Sequence, residues 1–344
     1  MQAVILAAGR GKRLHPITAT RTKAMAPIAG KPVVERVMDT LVANGIHEFI
    51  LVISPDDSEI AEYFQTISDL NATLTFIPQP EPLGMGHALL QAVPYIQDDF
   101  ILSSCDNLVE PAEVEKMLAV WEAESPNAIL TTLQVGPEEI IRMGILALDG
   151  NQVSHIVEKP TLEEAPSNIG SVPLYIFSHR FLPYLSEILP SHRGEYELQD
   201  SIQMLIDRDG AVRAFALTDR KDLTTPEDLL GLNLKFLHQR DTTLELGSQK
   251  TGRNTHLIPP LCIDPQVVIG SDCVIGPNVY LETGAVIEDG ARLENVVVLR
   301  HRTVSAGSTW RCHSASAGES TTPPGAGVPA CSRRAETCVV KLGQ

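Results

Sequence analysis

The sequence predicts an α/β domain built on a mostly parallel sheet, followed by a short β-helix. Three observations point to it: strands alternating with helices over the first hundred residues or so, a glycine-rich loop closing the first strand, and a six-residue periodicity from Ile263 to Leu299. With 344 residues the chain is long enough for two domains, each with its own core. Apolar residues make up 43% and charged residues 20%, which excludes bulk disorder. No apolar run approaches the roughly 18 residues that span a bilayer. The short apolar run 3–8 has its basic residues after it, the wrong order for a signal peptide. Cys105, Cys262 and Cys273 show no metal or disulfide spacing, and the other three cysteines (Cys312, Cys331, Cys338) crowd the final segment. A reducing cytoplasm is the expected location.

Residues 2–7 read as a short buried strand ending in the loop Ala8-Gly9-Arg10-Gly11-Lys12-Arg13. A helical pattern spans 33–44, with Gly45 as its stop. Residues 49–53 form a second strand, 58–67 a helix, 73–77 a strand, 87–93 a helix and 100–103 another strand, ending at Cys105-Asp106-Asn107. Ligands of such sheets sit beyond the carboxyl ends of the strands, where the loop and Asp106 both fall. From 129 to 177 strand signals come without full helices between them, which predicts an antiparallel elaboration. Thr225-Pro226-Glu227-Asp228 then opens a helix, with Thr as cap, Pro first and acids in the first turn. It is expected to run to about residue 239 and into a linker around 247–254.

Next, Ile263, Ile269, Ile275, Leu281, Ile287, Leu293 and Leu299 recur every six residues. Small or β-branched residues follow each by four: Val267, Cys273, Val279, Ala285, Ala291, Val297 and Thr303. A period of six matches neither the helical 3.6 nor a hairpin meander; it marks a hexapeptide β-helix whose faces stack coil on coil. After Thr309 the pattern stops. Residues 310–344 contain no Asp or Ile and are rich in Ser, Ala, Gly and Pro, so they read as a foreign or frame-shifted ending, expected to be disordered. The expected division is 1–240 for the α/β domain, 241–256 for a linker, 257–309 for the β-helix and 310–344 for the tail.

The net charge of −16 argues against nucleic acid or an anionic membrane as partner. Its distribution says more. Residues 1–36 carry Arg10, Lys12, Arg13, Arg21, Lys23, Lys31 and Arg36 against the single acid Glu35, so the rest of the chain is strongly acidic. A local basic excess of this kind suits a bound anionic small molecule. The segment Leu6-Ala7-Ala8-Gly9-Arg10-Gly11-Lys12-Arg13-Leu14-His15-Pro16-Ile17-Thr18 has neither the Walker spacing nor the third glycine of the dinucleotide fingerprint. It still has the makings of a phosphate cradle. Gly9 and Gly11 let backbone N–H groups approach anionic oxygens, Arg13 can grip terminal phosphates as a fork, and Lys23 can set a point charge on a phosphorus under attack.

The same segment resembles the signature of the sugar nucleotidyltransferase family, L-A-A-G-x-G-x-R-L-x-P-x-T followed by P-K, over roughly residues 1–235. Members include glucose-1-phosphate thymidylyltransferases, mannose-1-phosphate guanylyltransferases and bifunctional N-acetylglucosamine-1-phosphate uridyltransferases. Thr22 stands where the family has Pro before the lysine. The resemblance implies a Rossmann-like, mostly parallel catalytic sheet and a short left-handed β-helix of hexapeptide repeats. It implies nucleotide contacts at Leu6, Ala8, Gly9, Gly11, Gln79 and Gly84, the last two within Gln79-Pro80-Glu81-Pro82-Leu83-Gly84-Met85-Gly86-His87-Ala88, similar to the base-reading loop. Arg13 and Lys23 take the catalytic roles, and Asp106 and Asp222 become ligands of Mg²⁺, an ion that favours one or two carboxylates plus phosphate oxygens. Glu158-Lys159-Pro160 resembles the family's E-K-P, with Glu158 on sugar hydroxyls and Lys159 on the sugar phosphate, and Gly144 resembles its backbone contact to the sugar. Where the family reads S-N-L-A-N-A-G-I-Y, Ser171 replaces a sugar-binding Asn and Pro173 a Gly. Gly194-Glu195-Tyr196-Glu197-Leu198-Gln199-Asp200 also matches and reads as pocket wall plus helix start.

The expected activity is transfer of a nucleotidyl group from a nucleoside triphosphate, UTP or dTTP, to a sugar-1-phosphate, in a homo-oligomer assembled through the β-helix. Two alternatives stay open: a non-catalytic regulatory or assembly subunit of the same fold, and a bifunctional enzyme whose β-helix transfers acyl groups.

Overall fold

A computed structural model describes residues 1–218, 220–239 and 250–311, together with the backbone of Val339–Val340. The chain divides into two compact units. The first comprises Met1–Arg10, Arg21–Met25 and Val33–Asp222, and the second Gly11–Thr20, Ala26–Pro32 and Leu223–Gln344.

In the first unit the strands are β1 (Gln2–Leu6), β2 (Glu48–Ile53), β3 (Thr73–Pro78), β4 (Phe100–Ser104), β5 (Asn107–Leu108), β6 (Ala128–Gln134), β7 (Gly144–Asp149), β8 (Gln152–Glu158), β9 (Ile169–Phe177), β10 (Val212–Ala216) and β11 (Lys221–Asp222). Nine of them form one sheet in the order β3-β2-β1-β4-β9-β6-β10-β8-β7, and β7 also pairs with β9. The β1–β4 ladders are parallel. Their apolar runs fit burial on both faces: Ala3, Val4, Ile5, Phe100, Ile101 and Leu102 are fully buried. β9 runs antiparallel to β4 and β6, so the expected antiparallel elaboration is present. Between Val172 and Tyr175 the β9–β6 register shifts, at the point where Pro173 has no N–H to donate.

Helices α1 (Val33–Val42), α2 (Ser58–Thr66), α3 (Met85–Ala92), α4 (Pro111–Glu124) and α5 (Leu198–Arg208) cover this sheet. The Asp57 side chain caps α2 by accepting from the Ile60 N–H. α3 starts at Met85, ahead of the expected His87, because Gly84 at φ 100° serves as its cap. Helix α4 had no counterpart in the sequence reading. Of its residues only Glu113, Val114 and Met117 are buried, too short a stripe to register as a period. The core joins sheet and helices: Phe177 stacks on Phe181 at 4.0 Å, beside Phe100, Leu198 and Ile202.

In the second unit, α6 (Pro226–Gln239) starts where expected. Asp228 accepts from the N–H groups of Thr224 (2.9 Å) and Thr225 (2.6 Å), and its own N–H reaches Thr225 Oγ1. Within α6, Asn233 holds the short hairpin at residues 27–32, accepting from the Ala29 N–H at 2.8 Å and donating to the Pro27 carbonyl at 3.0 Å. Beyond it, two- and three-residue strands build three four-stranded sheets, in which each strand pairs parallel with the third strand after it. Three hexads thus make one coil. Ile269, Ile275, Leu281, Ile287 and Leu293 point inward and are buried, as are Val267, Cys273, Val279, Ala285 and Ala291.

The hexad register does not continue unbroken to Thr303. Val296 and Val298, rather than Val297 and Leu299, pair with Val279 and Leu281. The corner at Asn295, with φ 53°, takes one residue fewer than the earlier corners, so Val304, where an unbroken period would put Ser305, pairs with Ile287 and is buried, while Thr303 is exposed. Two strands, Lys250–Thr251 and His256–Leu257, lie in the stretch read as linker. Thr309–Arg311 and Val339–Val340 add strands from the segment read as a disordered tail, whose other residues lie outside the described residues. No described helix is long and apolar enough to cross a membrane.

Candidate active site

The first unit gathers polar groups beyond the carboxyl ends of β1 and β4. The Ala7 N–H donates to the Val52 carbonyl (2.8 Å) and the Cys105 N–H to the Leu6 carbonyl (3.2 Å), which ties the ends of β1, β2 and β4 together. Ala8-Gly9 and Asp106 therefore leave the sheet as neighbours. A Cβ added to Gly9 would meet nothing within 4 Å, so the space beside this backbone is open. The loop continues with Gly11 in the left-handed conformation (φ 61°, ψ 46°), the conformation that favours glycine. One 3₁₀ turn at Lys12–Leu14 follows, and the Gly11 carbonyl accepts from the Leu14 N–H (2.9 Å) and Thr18 Oγ1 (3.1 Å). Arg13 on this turn is exposed.

Lys23 Nζ lies 2.5 Å from Asp106 Oδ2, with side chains only 17% and 11% exposed. The β11–β5 ladder sets Asp222 directly opposite Asn107, the residue after Asp106. The ladder thus sets Asp222 across from the residue that follows Asp106. Arg220 joins them: its Nε donates to Asn107 Oδ1 at 2.9 Å, and its guanidinium lies 3.4 Å from Asp222. Asn107 is buried, and its Nδ2 has no partner among the described residues. No group of three His, Cys, Asp or Glu that could hold a metal by itself occurs among the described residues. The donor set is two carboxylates, which fits Mg²⁺, an ion that usually completes its shell with water and substrate phosphate. Burial pushes the neighbouring Cys105 thiol up to about 12, reinforced by the Asp106 charge, so it supplies no thiolate at neutral pH.

A second group forms across β7 and β8, where Gly144 stands opposite Glu158. Glu158 Oε1 is 3.2 Å from Lys159 Nζ and 3.9 Å from Arg193, and Arg193 also binds Glu197 at 2.9 Å. Burial raises the Glu158 carboxyl above its usual range, against the pull of Lys159. Ser171 is buried, and its hydroxyl is engaged with Tyr175 Oη at 2.6 Å. In a third group, Gln79 Nε2 donates to the Gly84 carbonyl at 3.1 Å and lies 3.2 Å from His87 Nδ1. At Gly84 a Cβ would sit 2.8 Å from the Tyr196 carbonyl oxygen, so close packing and its positive φ both call for glycine.

The fold therefore brings Lys23, Asp106 and Asp222 together, Gly144, Glu158 and Lys159 together, and Gln79 with Gly84. Sequence reading missed Arg220 and gave Asn107 no role. Asn107 could have been found from its place after Asp106. Arg220 shows its role only through a side-chain contact 113 residues away along the chain.

A family model described as "Nucleotidyl transferase" matches residues 2–239, and one described as "GMPPB C-terminal domain" matches residues 257–312. The bifunctional protein GlmU of Methanococcus maripaludis is 35% identical over 240 residues, covering 70% of this chain and 55% of that protein. The chain thus spans about half the length of the curated relatives it matches first. The UTP–glucose-1-phosphate uridylyltransferase AglF of Haloferax volcanii is 31% identical over 230 residues, covering 66% of this chain and 93% of that protein. A UDP-glucose pyrophosphorylase solved with UDP-glucose superposes with a TM-score of 0.62 at 23% identity, covering 70% of this chain and 99% of that one, which shows a shared fold.

Proposed function

The chain belongs to the nucleotidyl transferase family, and we propose that it transfers a nucleotidyl group from a nucleoside triphosphate, UTP or dTTP, to a sugar-1-phosphate, releasing pyrophosphate. One observation carries the reading: a largely buried Lys23–Asp106 pair at the end of β4, with Asp222 paired to the following residue, Asn107, in the β11–β5 ladder. A cation held against a carboxylate beside an open glycine backbone is an arrangement for polyphosphate, not for a neutral ligand.

In the reaction, an oxygen of the sugar phosphate forms a bond to the α-phosphorus, the bond from that phosphorus to the α–β bridging oxygen breaks, and the electron pair leaves with pyrophosphate. The attacking oxygen is already anionic, so no general base is required. Arg13 and the loop N–H groups stabilise the charge growing on pyrophosphate, and Lys23 that on the α-phosphoryl oxygens. Asp106 and Asp222 would hold Mg²⁺, which when bound neutralises phosphate charge. Gln79 and Gly84 present the base-reading loop, and Gly144, Glu158 and Lys159 receive the sugar phosphate. The three stacked parallel sheets are read as a left-handed β-helix of hexapeptide repeats that joins subunits, in a cytoplasmic enzyme.

The test is pyrophosphate release from UTP, dTTP, GTP and ATP, each with glucose-, N-acetylglucosamine-, galactose- and mannose-1-phosphate. UTP or dTTP with one of these sugars should be turned over best; a chain that releases no pyrophosphate from any pair is not this enzyme.

A further inference from the structure

The turn that carries Lys23 begins at a buried hydroxyl, and a buried carboxylate oxygen lies on the helix it packs against. They are Thr22 Oγ1 and Asp57 Oδ2, and neither has a hydrogen-bond partner among the described residues. Asp57 is 6% exposed, and its other oxygen caps helix α2 by accepting from the Ile60 N–H at 3.4 Å. Helix α2 packs against the 3₁₀ turn Lys23–Met25. Thr22 opens that turn, its carbonyl accepting from the Met25 N–H at 3.2 Å. Burial raises the Asp57 carboxyl above its usual range, and the Thr22 hydroxyl is the foremost group drawing it back. The Cys105 thiol, next to Asp106, feels the charges of Lys23 and Asp57 alike. Asp57 therefore borders the sheet end where Lys23 stands.

Lysine is a point charge on a flexible stem, so its aim depends on how firmly its backbone is held. A proline at position 22 would hold it through the ring, which fixes φ. Threonine has no such lock, but it has a hydroxyl that can donate. A buried carboxylate oxygen without a donor is costly, and the two loose atoms are complementary. Resting on the nucleotidyl-transfer reading, we propose that Asp57 is a positioning residue for Lys23: the Thr22 hydroxyl donates to Asp57 Oδ2 and so anchors the Lys23–Met25 turn to the capped end of α2. Asp57 acts on the lysine through Thr22 and the backbone. Its loss leaves the charge of Lys23 in place and loosens its aim. A misplacement of about 1 Å at a reacting centre can lower a rate by about 10².

The experiment measures kcat, both KM values and Tm of the full chain with the best nucleotide and sugar-1-phosphate of the panel. Thr22→Val keeps the branched shape and removes the hydroxyl. Asp57→Ser keeps an oxygen to cap α2 and removes Oδ2. Each should lower kcat about tenfold with the KM for the sugar phosphate unchanged. The double variant should fall no further than the worse single one, because both break the same bond. In a Lys23→Ala background Asp57→Ser should lower kcat no more. Adding Thr22→Pro to Asp57→Ser should return most of the lost kcat, since proline restrains the backbone and keeps the carbonyl that Met25 binds. A cap of α2 and nothing more would show a lower Tm with kcat per folded molecule unchanged, and that result overturns the inference. So do losses that multiply in the double variant, losses that persist without Lys23, or no recovery with Thr22→Pro at an unchanged Tm. Should Asp57→Ser not fold, Thr22→Val alone decides by its kcat. A wild type inactive with all pairs would bring down nucleotidyl transfer itself, whereas an active wild type matched by Thr22→Val brings down only the Asp57 assignment.

Discussion

The two units use their polar groups differently, although the solenoid too leaves Asn278 Oδ1 and Trp310 Nε1 buried without a partner among the described residues. In the solenoid, side chains at the corners bind the next coil: Glu282 accepts from the Arg300 N–H (2.7 Å), Glu288 from the Ala306 N–H (2.9 Å), Asp289 from the Ser271 N–H (2.7 Å) and Asp264 from Tyr280 Oη (2.6 Å). In the α/β unit, Asn107 Nδ2, Glu158 Oε2 and Gln199 Oε1 are buried with no partner among the described residues. Gly9 borders open space, while a Cβ on Gly276 would lie 1.9 Å from the Ile258 carbonyl oxygen of a neighbouring coil. Polar groups that satisfy one another hold a shape; those left over at the candidate site are ones a ligand could complete.

The sharpest way to break this contrast is at the Lys23–Asp106 pair. Lys23→Ala and Asp106→Ala should each lower turnover by at least about 10²–10³, the usual loss for one electrostatic contact in the transition state. The double variant should lose little more than either single one, because the two groups act as a unit. Near-normal pyrophosphate release in a folded single variant would mean that the pair is merely structural. Next in size is Asp222→Asn. Removing one of two carboxylates should raise the Mg²⁺ concentration for half-maximal rate roughly tenfold or more, since even outer-shell changes commonly weaken metal sites by about 10–100-fold. An unshifted Mg²⁺ dependence would remove Asp222 from the ligand set.

In the solenoid the expected loss is of stability instead of chemistry. Gly276→Ala forces a Cβ toward the Ile258 backbone at a φ of 109°, a strain of about 1–3 kcal/mol from backbone and a similar amount from overpacking. Calorimetry should show a lowered transition, while turnover per folded molecule at 25 °C stays near that of the wild type. A large fall in turnover with an unchanged melt would mean that the solenoid takes part in catalysis.

How much could be read in advance follows the same division. The six-residue period was legible because inward positions in the early coils must be apolar, and from Ile269 to Leu293 those positions are buried, while Ile263 at the start of the series is only partly so. The period overran only where Asn295 shortens a corner, a change in backbone rather than in residue type. The glycine loop, Lys23 and Asp106 were legible because charge and glycine stand out against buried strands. Arg220 was not, and Gln199 was read only as part of a pocket wall. A glutamine on a helix and an arginine in a loop acquire meaning only from what lies across from them, and those partners, Gly144 and Asn107, are far away in sequence. Packing neighbours at long range are what a one-dimensional pattern carries least well.

The smallest effect tests whether the division is complete. Arg300 belongs to a solenoid corner, yet its guanidinium donates at 2.6 Å to the carbonyl of Thr20, at the end of the segment that begins with Gly11. That bond is solvent-exposed, so its net worth is about 1 kcal/mol, a factor of about five in an equilibrium constant. If the solenoid only holds its own shape, Arg300→Ala leaves nucleotide kinetics alone. If it also steadies the loop that carries Arg13, the KM for the nucleoside triphosphate should rise about two- to fivefold, with the KM for the sugar phosphate unchanged, because only the loop conformation is loosened. Initial rates with nucleotide varied at saturating sugar phosphate separate these outcomes. A change confined to the sugar phosphate would count against both.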